Sequence, residues 1–88
     1  MASKNAVVGS AVGLHARPAT LVANAAADYD DEITLRLVGD DEDDAVDAAS
    51  SMMIMTLGAE KGAEIVVESD NPEAVEAIAA LIEQDLDA

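Results

Sequence analysis

From Glu32 to Val38 apolar and polar residues alternate. Ile33, Leu35 and Leu37 fall on one side, Thr34 and Arg36 on the other. A period of two marks a strand with one buried face. Ala63 to Ser69 repeats it, with Ala63, Ile65 and Val67 opposite Glu64 and Glu68. Two shorter apolar pieces predict further strands: Ala6-Val7-Val8, ending near Gly9-Ser10, and Ala45 to Ala48. Elsewhere the spacing changes to three and four. Pro18, Val22, Ala25, Ala26 and Tyr29 predict a helix from Pro18 to about Ala27. Val75, Ile78, Ala79, Ile82 and Leu86 predict another, with Asn71 as its cap and Pro72 at its first position. Between them, Ser50 or Ser51 caps a short helix through Met55, closed by Gly58. Gly13-Leu14-His15 reads as a loop, and Gly39 with the run Asp40 to Asp44 as a hairpin tip. The order is β-α-β-β-α-β-α. Antiparallel strands with helices on one face make an α+β two-layer sandwich.

The 88 residues suffice for one domain, and residues 1–88 are read as a single unit. Tyr29 is the only aromatic residue, so the core must be aliphatic. There is no cysteine, which excludes disulfides and thiolate metal sites and fits a reducing cytoplasm. No apolar run approaches the length of a membrane span, and the N-terminus has no signal-peptide pattern.

Charge changes the picture more. Asp and Glu number 19 against 4 Lys and Arg, a net charge of −15. That argues against nucleic acid and against an anionic membrane as partners. It is read as adaptation to a salt-rich cytoplasm, as in halophiles that accumulate salt, because salt screens self-repulsion. The acid is unevenly placed. Residues 1–27 contain none, and carry Lys4, His15 and Arg17. A second uncharged window runs from Ala48 to Ala59. Two such gaps in an acidic chain are candidate contact surfaces. The run Asp40 to Asp44 lacks the spaced ligands and central Gly of a calcium loop and reads as solvated; a metal-buffering role would rest on it alone.

His15 is the one histidine, in Gly13-Leu14-His15-Ala16-Arg17-Pro18-Ala19. It sits just before a predicted helix N-terminus, where backbone N–H groups lack intrahelical partners and the dipole is positive. The candidate cap positions, Ala16 and Arg17, have no accepting side chain, so those donors are left for an anion. Arg17 adds a fixed cation suited to phosphate. The same positive field biases His15 towards its neutral, nucleophilic form.

These residues resemble the active-site signature of HPr, the histidine-containing phosphocarrier of the sugar phosphotransferase system. The resemblance continues through Val46 to Ala59, which is similar to the family's second helix and its Ser site. It implies an open-faced β-sandwich, with a four-stranded antiparallel sheet and three helices on one face. It implies that His15 takes a phosphoryl group at Nδ1 from phosphorylated enzyme I and gives it to a sugar-specific enzyme IIA domain. Arg17 would be the phosphate neighbour, with the Ala16 and Arg17 backbone. No metal or cofactor is required, and a cytoplasmic monomer is expected.

Thr20, Leu21, Asn24 and Ala27, with Arg17, face away from the predicted core stripe. With Met52 and Met55 they form the expected partner surface, since methionine adapts to several partners; Ile54 and Leu57 are expected in the core. Ser50 matches the family's regulatory serine. Ala49 and Ser51 depart from the residues usual beside it, and Ser50 is read first as a helix cap. Two alternatives remain: a carrier in a dihydroxyacetone kinase relay, and a regulatory module of the same fold without transfer. The intact His15 and Arg17 weigh against the second.

Overall fold

The computed structural model describes residues 2–9, 13–14 and 16–84, apart from the side chains of residues 16 and 42. Its elements are β1 (Ala2–Val7), α1 (Ala16–Ala27), β2 (Ile33–Leu37), β3 (Val46–Asp47), α2 (Ser51–Thr56), β4 (Glu64–Ser69) and α3 (Pro72–Glu83). The sheet order is β1-β4-β2-β3, antiparallel throughout. This is the expected α+β architecture, with three helices against a four-stranded sheet.

The alternating segments take the centre of the sheet because they alone offer a continuous apolar face. Ile65 and Val67 of β4 and Ile33 and Leu35 of β2 are all buried. Leu35 pairs with Val67, and Ile33 with Ser69. The buried Ser69 hydroxyl is not stranded: its Oγ accepts from the Asn71 N–H at 3.2 Å. The helices close the other side. α3 lies over β1 and β4, while α1 packs on α2 and α3. Val75, Ile78, Ala79 and Ile82 are buried as their spacing predicts, and Leu86 lies outside the described residues. Each fully buried Leu or Ile contributes about 1.5–3 kcal/mol.

Three expectations need correction. β1 is not Ala6-Val7-Val8 but Ala2–Val7, paired from Ala2↔Ser69 to Val7↔Glu64. An edge strand needs only its backbone to pair, so polar Ser3, Lys4 and Asn5 belong to it. Val7 is exposed, while Val8, just past the strand, is buried. β3 is cut to two residues, and the acidic tip holds a turn of 3-10 helix at Glu42–Asp44. α1 starts at Ala16, two residues before Pro18. Proline is tolerated there because first-turn N–H groups have no intrahelical acceptor in any case.

β1 is joined to α3 beyond its last residue. Gly9 donates to the Ile82 carbonyl at 3.1 Å. A side chain at Gly9 would collide with the Glu83 carbonyl oxygen, so only glycine lets the two backbones approach.

Candidate functional site

The segment before α1 is held from below. Leu14 is fully buried, and its N–H donates to the Ala59 carbonyl at 2.9 Å. Gly13 has φ +75, and a Cβ there would strike the Ala59 oxygen and lie 2.8 Å from the Glu60 Cα. Glycine is therefore required twice over, by conformation and by contact. His15 itself lies outside the described residues; its chain neighbours Leu14 and Ala16 do not.

Ala16 and Arg17 are the first two residues of α1, not caps beside it. Their N–H groups are thus two first-turn donors, and Pro18 in third place has none. No acidic side chain occupies the first turn to compete with an anion. The Arg17 side chain is exposed.

α1 divides as its spacing predicts in part: Ala25 and Tyr29, expected in the core, are half-buried, and Ala19 and Ala23 are buried in addition. Pro18, Ala19, Val22, Ala23 and Ala26 are buried, while Arg17, Thr20, Leu21, Asn24 and Ala27 are exposed. α2 divides likewise. Ile54 is buried and Leu57 packs against the core. Met52, at 73% exposure, and Met55, at 38%, do not fill the core. Met53 is also exposed and belongs with them; on a helix whose position 54 points inward, positions 52, 53 and 55 all turn outward. Spacing around Ile54 is the signal that identifies it.

Ser50 is the N-cap of α2: its backbone is extended, and its Oγ accepts from the Met53 N–H at 3.3 Å. The helix ends at Leu57, whose N–H returns to the Ile54 carbonyl, and Gly58 follows.

The fold brings the two acid-free windows together. α1 packs on α2, and the Leu14–Ala59 bond ties the middle of one window to the end of the other. Every described acidic side chain is exposed except the half-buried Glu68, which pairs with Arg36 at 3.2 Å. Among the described residues no group of three His, Asp or Glu side chains is placed to hold a metal ion, and no helix is long and apolar enough to cross a membrane.

A family model described as "PTS HPr component phosphorylation site" matches residues 2–84. The phosphocarrier protein NPr of Klebsiella oxytoca is 36% identical over 75 residues, 85% of this chain and 80% of that protein. The crystal structure of phosphocarrier protein HPr from Bacillus anthracis is similar, with a TM-score of 0.81 at 32% identity, covering 92% of this chain and 95% of that one. HPr-C-His from Thermoanaerobacter tengcongensis gives a TM-score of 0.83 at 28% identity, over 100% of this chain and 98% of that one.

Proposed function

The chain belongs to the HPr family of phosphocarriers of the phosphotransferase system, and on that premise we propose that His15 is the residue that carries its phosphoryl group. Members of this family are relay components with a phosphohistidine intermediate, not enzymes with a substrate of their own. They work with enzyme I and enzyme IIA-type partners. In this reading Nδ1 of His15 attacks the phosphorus held by phosphorylated enzyme I. The new N–P bond forms as the bond to the enzyme I group breaks. The downstream step repeats the exchange on an enzyme IIA domain of a sugar system. The protein acts in the cytoplasm as a monomer.

One observation carries the assignment: the residue before His15 is locked to Ala59, and the two after it open α1, whose first turn holds no acidic side chain to compete with an anion. A phosphoryl group arriving there meets two backbone donors and Arg17. Positioning and charge stabilisation are what such a transfer needs. Arg17, Thr20, Leu21, Asn24 and Ala27 with Met52 and Met55 form the docking surface. Its lack of acid supports this, because a partner bearing phosphate would be repelled elsewhere on the chain.

The remaining acid we read as adaptation to a salt-rich cytoplasm, supported by its placement almost wholly on the exposed surface. The test of the carrier reading is incubation with phosphoenolpyruvate and cognate enzyme I at high salt, followed by mapping of the modification. An acid-labile phosphate on His15, absent in His15→Ala, is expected. No phosphorylation by the cognate enzyme I would overturn the reading.

A further inference from the structure

Three of the four methionines of this chain stand on one six-residue helix, and all three are exposed. Met52 is 73% accessible, Met53 44% and Met55 38%. Thioether oxidation follows exposure. The chain has no cysteine, so no thiol on it competes for oxidant. Among the described residues these are the oxidisable sulfurs, and they are gathered on the surface assigned to docking.

We propose that Met52, Met53 and Met55 form a reversible oxidation site that turns off partner docking. This rests on the carrier reading above and adds its regulation. The oxidant is a peroxide. A sulfur lone pair attacks one peroxide oxygen, an S–O bond forms and the O–O bond breaks. The departing hydroxide takes a proton and leaves as water. Sulfur is oxidised by two electrons and the peroxide reduced by two. A dithiol reductant reverses it, giving thioether, disulfide and water.

The placement on α2 gives the reaction its effect. The sulfoxide replaces a flexible apolar tip by a strongly polar one. Three such changes make a surface that holds water where a partner must displace it. The core is spared: Ile54 is the buried residue of the helix, and the Ser50 cap does not involve sulfur. Docking weakens while the fold persists.

The experiment treats the whole protein with hydrogen peroxide, removes the excess with catalase, and maps sulfoxides by mass spectrometry. Phosphoryl uptake from phosphoenolpyruvate and untreated enzyme I is then followed. Sulfoxides at positions 52, 53 and 55 are expected, with uptake at limiting carrier slowed about fivefold or more. Methionine sulfoxide reductase restores the rate, and circular dichroism stays unchanged. In the triple variant Met52→Leu, Met53→Leu, Met55→Leu, the rates before and after treatment are equal, whatever the starting value. Uptake unaffected by mapped sulfoxides would overturn the proposal alone, as would slowing that persists in the triple variant. Absence of uptake by the untreated protein would overturn the carrier reading, and this proposal with it.

Discussion

Leu14 donates its backbone N–H to the carbonyl of Ala59 across 2.9 Å, so the chain approaching α1 is hung from the chain leaving α2. The bond places the family signature and the methionine helix on one scaffold. Gly13 makes the approach possible, because a side chain there would meet the same carbonyl.

Gly13→Ala is therefore expected to cost more than its backbone conformation alone. Gly58, at φ +64 with open space around its missing side chain, supplies the comparison. Gly58→Ala should lose about 1 kcal/mol, the left-handed penalty. Gly13→Ala should lose about 2–4 kcal/mol, since a packed backbone must also move. Urea unfolding of both variants tests this; equal midpoints would show that the Ala59 contact is not tight.

Arg17→Ala should leave folding within about 0.5 kcal/mol, because the side chain is exposed. The initial rate of phosphoryl uptake should fall about tenfold to a hundredfold, the worth of a charge-assisted hydrogen bond. Arg17→Lys should recover only part of it. Rapid-quench rates with enzyme I decide; an unchanged rate in the alanine variant removes Arg17 from the phosphate.

Ser50→Ala removes the acceptor for the Met53 N–H and should cost about 1 kcal/mol. Ser50→Asp can cap the same helix and should keep wild-type stability. Thermal melts compare the three. A stable Ser50→Ala would mean that the 3.3 Å bond contributes nothing.

Stability should rise with KCl. Only two ion pairs, Lys4–Glu76 and Arg36–Glu68, are formed among the described residues, against a surface rich in acid. From 0.1 M to 1 M salt the screening length falls from about 10 Å to about 3 Å, and repulsion fades with it. Urea midpoints that stay flat over that range would contradict salt adaptation.

Hydrogen bonding to Glu76, with its charge, raises the Lys4 pKa above the ordinary lysine value. The raised folded value means that the pair's contribution is complete below the unfolded pKa and disappears as pH climbs through the folded one. The Lys4 titration, followed by NMR at its side-chain nitrogen, should move down in Glu76→Gln. The pair is exposed, so its loss should hardly alter neutral-pH melts.

The elements with strong periodicity were legible in the sequence. Ile33, Leu35, Ile65 and Val67 announced the central strands, and the Asn71-Pro72 start of α3 was read to the residue. β1 was misread because its identity lies in backbone pairing with β4, a partner far along the chain, while half of its own side chains are polar. The outward face of α1 followed from its core stripe. The α1 start did not, since Pro18 looks like a first residue and yet Ala16 precedes it in the helix. The Gly13–Ala59 contact has no sequence signal at all; glycine in a loop does not say which carbonyl it touches.

The tie between Gly9 and Ile82 has a consequence for synthesis. β1 leaves the ribosome before the other elements, yet its strand partner is β4, and the helix that covers it is α3. Until residues 64–83 emerge, the nascent chain can hold no more than α1, the β2–β3 hairpin and α2. The fold closes in one late event, when β4 and α3 become available to β1.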